Sequence, residues 1–341
     1  MKMDFGVVNY NGGPALLRCV DSILAQEGVE VQVRVFDNAS ADGSADALAE
    51  HAPTVQTVRS DRNLGYAGAV NRLVERMDGD VVVLCNMDLE FVPGWARAVL
   101  AALRKHPGAD AVASVVVETT EPPRLNSLGV RFYPDLHAQN EGSGEPYRPE
   151  RVEEQAQLAF GAYGAVMCFR RTALQDIRFD ESFFLFFEET DFFLRFHLLG
   201  HDTVLAPDAL VYHERSHSTR RYSTLKLYYG ERNRLTTVFK LLPAWYWPVS
   251  LWHSVGRYLR LARTASAGRG GDGEGPGATP AMPPRWVIIG TILRAWSAAV
   301  VRLPATLAAR RRFWRGAPAS PRDALALMRR YRLPASRLTI R

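Results

Sequence analysis

Between residues 4 and 117 the chain repeats one pattern. A short β-branched or apolar run is followed by a polar break, and then by about ten residues with apolar side chains at helical spacing. The runs fall at residues 4–8, 31–36, 55–59, 81–85 and 111–117, and the intervening "PALLRCVDSILAQ", "GAVNRLVERM" and "WARAVLAALRKH" read as amphipathic helices, the first opened by Pro14. A strand period cannot serve as a helix period, so this alternation predicts βαβ units, an α/β class and a parallel sheet. Ligands of open α/β sheets gather at the carboxyl ends of the strands. Here those ends carry "NYNGG" at residues 9–13, "DNAS" at 37–40 and "NMD" at 86–88. Each motif alone is equally explained by helix capping or turn formation.

Further along, residues 121–158 are rich in Pro, Gly and charge and predict a loop or irregular hairpin of the kind that is usually functional. "FGAYGAVMCFRR" reads as a strand, "TVLAPDALVYH" as two short strands and "STLKLYYGERNRLTTVFKLL" as a long helix. The segment "FFLFFEETDFF" places Glu188, Glu189 and Asp191 among six phenylalanines. A helix starting near Glu188 and stopping before Gly200 gathers acids in its first turn, as the helix dipole favours. Asp191 and Arg195 are spaced i, i+4 and share a side with Glu188. Glu189 turns toward the arc of Phe192 and Phe196, where lost solvation raises a carboxylate pKa and suits a general base.

Beyond residue 240 the solvent preference changes. That part holds 17 Arg, no Lys and three acids, a charge of +14, which leaves −8 for the remainder of a chain whose net charge is +6. Six of the seven Trp lie there too. Arg294 interrupts the longest apolar run, so the pattern favours a helix lying in a membrane interface over one that spans it. A helical subdomain packed on the main body is the alternative. Clustered Trp favours an interface over tracking along a nucleic acid. Cys19, Cys85 and Cys168 form no disulfide or metal framework, and "MDFGVVNY" enters a strand with no signal-peptide pattern. The expectation is a cytoplasmic protein, peripheral on the inner face of the cell membrane.

Taken in order, "VVNYNGG", "VFDNASADGS", "NLGYAGAVN", "VVVLCNMDLEF", "GAVMCFRR", "FDESFFLFFEETDFFLR", "VYHERSHS" and "ERNRL" resemble the inverting glycosyltransferases of family 2. The likeness covers roughly residues 4–240 and is greatest to rhamnosyltransferase-type members that build bacterial surface polysaccharides. It implies a GT-A nucleotide-diphospho-sugar transferase fold over residues 1–240 with a largely parallel central sheet. A helical extension would follow over 241–341, with a flexible linker near 264–285.

The resemblance also implies site roles. Asn9, Tyr10, Asn11, Asp37, Asn38, Asn63, Gly65, Asn71, Asn86 and Arg232 would bind the nucleotide-sugar donor, with Asn233 beside Arg232 near the rim. Asp37 would accept the imide N–H of a uracil or thymine ring. Asp88 and His213 would hold a divalent cation, Mg2+ or Mn2+, on the diphosphate. Asn86 stands where many relatives have Asp, one charge fewer at that site. Glu189 would be the base, one methylene longer than the usual Asp, with Asp191 second. The acceptor would be a hydroxyl of a glycan or lipid-linked glycan. Two rivals remain open: a sugar-phosphate nucleotidyltransferase, although "NYNGG" lacks the basic residues a triphosphate would need, and a non-catalytic nucleotide- or nucleic-acid-binding protein.

Overall fold

The computed structural model describes residues 1–155, 158–214, 223–267 and 283–333. The chain divides into two compact units, Met1–Val130 with Gln139–Ser218, and Arg131–Ala138 with Thr219–Arg341.

The first unit opens β1 (Lys2–Asn9), α1 (Gly13–Leu24), β2 (Glu30–Asp37), α2 (Ser44–His51), β3 (Gln56–Arg59), α3 (Gly65–Val74) and β4 (Val81–Asn86). It continues through β5 (Leu89–Phe91), α4 (Trp95–Lys105), β6 (Ala109–Glu118) and β7 (Arg124–Ser127). All five expected strands are present. After β8 (Val130–Phe132) and β9 (Ala138–Asn140) come α5 (Pro149–Gln155), β10 (Leu158–Ala159), β11 (Val166–Arg170), α6 (Glu188–Leu198) and β12 (Asp202–His213). The stretch expected as an irregular loop over 121–158 therefore contains short strands and a helix, and its residues 131–138 belong to the second unit.

The central sheet runs β10-β12-β6-β11-β4-β1-β2-β3. Strands β12, β6, β4, β1, β2 and β3 point the same way, while β11 is inserted antiparallel between β6 and β4. One edge of the sheet thus collects the ends of six parallel strands and the start of β11. Both faces are covered, and Val81–Val83 and Val115–Val117 are wholly buried, which is why those runs read as unbroken apolar stretches. On one face Phe5, Phe91 and Trp95 pack edge to ring at 4.8–5.6 Å. Elsewhere Phe169 of β11 meets Phe192, Phe193 and Phe196 of α6 at 5.4–5.8 Å. Each fully buried Phe contributes about 1.5–3 kcal/mol, so this cluster anchors α6.

"TVLAPDALVYH" forms one strand, β12, rather than two. Its register against β6 shifts between Ala206 and Leu210, around Pro207, which has no N–H to give to a ladder.

The second unit contains α7 (Thr224–Leu241), α8 (Trp247–Ala267), α9 (Arg285–Val301), α10 (Leu303–Gly316) and α11 (Pro321–Arg330). The expected boundary at 240 therefore moves to 218, with α7 grouped among the C-terminal helices. The start of the expected linker is helical as far as Ala267, and residues 268–282 lie outside the described residues.

A closed charge network sits inside this unit. Arg257 donates to Asp135 and Glu231 at 2.7 Å each, and Arg234 donates to Glu231 at 2.7 Å and to the Asp135 carbonyl at 2.6 Å. Trp296 Nε1 adds a bond to Glu231 at 3.0 Å. Although burial opposes their ionisation, the two arginines hold both carboxyls below the usual range.

Candidate active site

The polar strand ends converge at the common sheet edge, and their side chains are engaged there. Asn9 is buried at the end of β1, and its Nδ2 donates to Asp37 Oδ1 at 2.8 Å, Ser44 Oγ at 2.9 Å and Ser40 Oγ at 3.2 Å. Its Oδ1 is buried with no hydrogen-bond partner among the described residues. A Cβ on Gly12 would stand 2.5 Å from that oxygen, so residue 12 keeps the floor of the cradle open. Asp37 has one oxygen committed to Asn9, while the other takes only a 3.3 Å contact from the Ser40 amide.

Neighbouring asparagines do structural work. Asn38 donates to Asn63 Oδ1 at 3.0 Å and accepts from the Leu64 amide at 2.7 Å, and Asn63 Oδ1 accepts from the Gly65 amide at 2.8 Å. Asn11 ties the first strand's loop to the second through the Ala41 amide and Ser40 Oγ. Tyr10 is exposed.

The β4–β5 turn brings Asp88 beside the end of β12, because β5 folds back to pair His213 with Leu89. His213 Nε2 lies 3.4 Å from Asp88 Oδ2, and both residues are buried. The orientation of the imidazole is set from behind. Asn126 of β7 donates its amide to Glu118 at 3.3 Å, which turns its carbonyl oxygen toward His213 Nδ1 at 2.9 Å. Nδ1 then donates to Asn126, and Nε2 is the nitrogen that faces the Asp88 carboxylate. Two electron-rich ligands facing one another fit a hard divalent ion that completes its shell with phosphate and water oxygens. Among the described residues no group of three His, Cys, Asp or Glu side chains forms a complete metal cage. Asn126 and Glu118 lie at or beyond the end of β6, and no sequence motif singled them out. The half-buried Asn86 ends β4, its amide bonded to the Ala165 carbonyl at 2.9 Å.

The acids of α6 divide differently from the helical-wheel expectation. Asp191 is fully buried and pairs with Arg195 at 2.8 Å, as the spacing predicted. The more deeply buried carboxylate is Glu188. Glu188 is buried, its Oε2 has no hydrogen-bond partner among the described residues, and burial, then repulsion from Glu189, pushes its pKa well up. Phe192 and Phe196 are buried around Phe169. Glu189 is half-buried beside Gly164, where a Cβ would come within 3.4 Å of its carboxyl carbon. Gly164 lies two residues before the start of β11, so Glu189 stands at the same sheet edge as Asn86, Asn9 and Asp37.

The chain reaches α6 through a strained approach. Phe184, Phe186 and Phe187 have φ of 65°, 63° and 73°, a left-handed backbone costing about 1–2 kcal/mol each for a side chain with Cβ. Tyr66 braces it. Its amide donates to the Phe184 carbonyl at 2.7 Å, and its hydroxyl donates to the Gly164 carbonyl at 2.7 Å. Tyr66 had no chemical signature beyond its place in "NLGYAGAVN".

Two further residues expected to bind the donor make protein contacts of their own. Asn71 spends its amide on Phe179 and Glu181, at 3.0 Å in each bond, and so fastens α3 to the approach of α6. Arg232 lies in the second unit, buried with its guanidinium 4.7 Å over the Tyr229 ring and bonded to Asn233 Oδ1 at 2.9 Å. Burial, with nearby Arg302, lowers its pKa.

A largely parallel sheet with one antiparallel insertion, and acids and amides along its carboxyl edge, form a GT-A-type fold. The solved structures agree in fold. S. aureus TarS 1-349 in complex with UDP-GlcNAc matches over 97% of this chain and 91% of its own, with TM-score 0.56 at 15% identity. GalNAc-T7 with UDP, GalNAc and Mn2+ matches with TM-score 0.55 at 14% identity over 72% of this chain, which spans 48% of that one. The glycosyl transferase family 2 model matches residues 4–178, and the chain belongs to that family. It is 30% identical over 234 residues to an N-acetylglucosaminyl-diphospho-decaprenol L-rhamnosyltransferase of Mycobacterium tuberculosis, an alignment covering 63% of this chain and 76% of the relative.

Proposed function

We propose that the protein transfers a sugar, rhamnose being the expected one, from a nucleoside diphosphate donor to a hydroxyl of a glycan or lipid-linked acceptor, with inversion, in cell-surface polysaccharide or glycolipid assembly. One observation carries the reading. At a single sheet edge lie a base-recognition pair (Asn9 and Asp37), a facing Asp88–His213 pair and an accessible carboxylate, Glu189. The 30% identity to a rhamnosyltransferase supports the choice of sugar.

Asp37 accepts the imide N–H of a pyrimidine through the oxygen that Asn9 leaves available. Asp88 and His213 would hold a divalent ion, which supplies positive charge to the leaving diphosphate. Glu189 takes the acceptor's proton as its oxygen bonds to the anomeric carbon, and the bond to the diphosphate oxygen breaks on the opposite face with its electron pair. A positioned carboxylate of this kind contributes about 10²- to 10⁴-fold. Glu188, sealed from solvent, cannot meet an acceptor hydroxyl and serves α6 instead.

The test is a panel of nucleotide sugars incubated with the full chain, each with and without Mn2+. Thermal shift reports binding, and release of nucleoside diphosphate reports turnover. A Mn2+-dependent shift with a uridine or thymidine diphosphate sugar is expected. No shift with any donor would defeat the reading. Formation of pyrophosphate from a sugar 1-phosphate and a nucleoside triphosphate would assign nucleotidyl transfer instead.

A further inference from the structure

Helix α9 has two apolar faces. Ile292, Ala295 and Ala299 are buried against the second unit, where α9 packs chiefly on α7. The other face is also apolar, and it is covered by nothing among the described residues. Trp286, Ile289, Leu293 and Val300 follow one another at helical spacing and, with Val301, are 57–79% exposed. A helix of a water-soluble bundle ordinarily turns polar residues outward. On α8, Trp252, Val255 and Leu259 repeat the arrangement, with Trp252 76% exposed.

The tryptophans of this unit divide into two sets. Trp247, Trp296 and Trp314 point their indole N–H groups at Leu242, Glu231 and Lys240 and help close the bundle. Trp245, Trp252 and Trp286 are exposed. The subdomain reading of the sequence accounts for the first set only.

We propose that the outward face of α9 docks in the plane of an anionic lipid bilayer. Helices α8, α9 and α10, with the Arg302 link, carry no carboxylate and nine arginines besides Arg257, whose charge is spent inside the unit on Asp135 and Glu231. A stripe of Trp, Ile, Leu and Val bordered by positive charge alone complements an apolar layer beneath anionic headgroups. A second copy of the same face would bring like charge against like. No single described helix is long and apolar enough to cross a membrane; α9 and α10 reach that length and hydropathy only as a pair bent by 58°, and Arg294 and Arg302 within the pair favour its lying along the surface. The inference rests on the second unit alone, so it stands or falls separately from the transfer reaction.

The test is flotation of the full-length protein with vesicles of phosphatidylcholine alone or with 30% phosphatidylglycerol, a chosen composition of about one anionic lipid in three. Binding is expected only with the anionic lipid, reduced severalfold by 0.5 M salt, of the order at which surface charge is screened. Ile289→Glu with Leu293→Glu should lower it about tenfold or more, because a charged side chain is excluded from the apolar layer. Both positions are exposed, so circular dichroism and the melting temperature should match wild type. Should the double variant misfold, quenching of wild-type tryptophan fluorescence by bromolipids gives the same answer, with quenching expected. Equal binding to neutral vesicles, undiminished binding by a folded double variant, or no quenching would overturn the proposal. So would a wild-type dimer that the double variant abolishes, since the face would then belong to a second copy, and so would resistance to carbonate extraction, which marks a spanning segment.

Discussion

The amide of Tyr66 donates to the carbonyl of Phe184 across 2.7 Å, and this one bond fixes the strained approach to the acids of α6. Its donor can reach because Gly65, at φ +73°, lacks a Cβ that would stand 2.2 Å from the same carbonyl oxygen. Gly65→Ala should therefore destabilise the protein by about 2 kcal/mol or more, through a left-handed alanine and a displaced Phe184. Urea unfolding measures this. Tyr66→Phe keeps the ring and the amide but loses the hydroxyl's bond to Gly164. It should lower turnover more than it lowers stability, since Gly164 lies against Glu189.

The two adjacent glutamates should respond oppositely to the same change. Glu189→Gln should reduce transfer at least 10²-fold while nucleotide binding, followed by calorimetry, stays near wild type. Glu188→Gln replaces a buried carboxyl that burial makes costly to ionise and that has an unsatisfied oxygen. It should raise stability at neutral pH by about 1 kcal/mol and leave donor binding in place.

The Asn126 carbonyl decides which imidazole nitrogen of His213 faces Asp88. Asn126→Leu should weaken Mn2+ binding about 10- to 100-fold, the usual effect of losing a partner behind a metal ligand. Electron paramagnetic resonance titration of Mn2+ in the presence of nucleoside diphosphate reads this directly, without turnover.

His137, half-buried beside the network of Asp135 and Arg257, has its pKa pushed down to about 3 by burial and by the arginine's charge. Its folded value lies below its unfolded value of 6.5, so the unfolded chain binds the proton first. Stability should fall as pH drops from about 6.5 toward 3, by at most about 1.4 kcal/mol per unit. In His137→Asn the decline of the denaturation midpoint between pH 7 and 4.5 should be smaller.

The parallel sheet was legible because buried strands leave unbroken β-branched runs such as "VVVLC", and the ends of those runs exposed Asn9, Asp37 and Asp88 directly. Asp191 and Arg195 were equally plain, since an i, i+4 pair depends only on helical geometry. The environment of Glu189 was not legible. A helical wheel gives angles between side chains, but which arc meets the core depended on β11 entering the sheet antiparallel and carrying Phe169 beneath α6. Asn126 was hidden for a related reason, since its function comes from pairing of β7 with β6 and not from any neighbour in sequence. The grouping of α7 with the second unit follows from its packing on α9 and α10, elements more than forty residues later whose contact no local pattern announces.

The segment 131–138, between the paired strands β8 and β9, has a consequence for dissecting the protein. Asp135 lies in the excursion at residues 131–138, but its charged partner Arg257 comes more than a hundred residues later. A chain stopped after residue 218 would still contain the carboxylate and would have lost the cation made to neutralise it. The catalytic fold of this protein is therefore not a cassette that a single cut can release, and chimaeras that exchange C-terminal helices between relatives must carry the 131–138 segment with them.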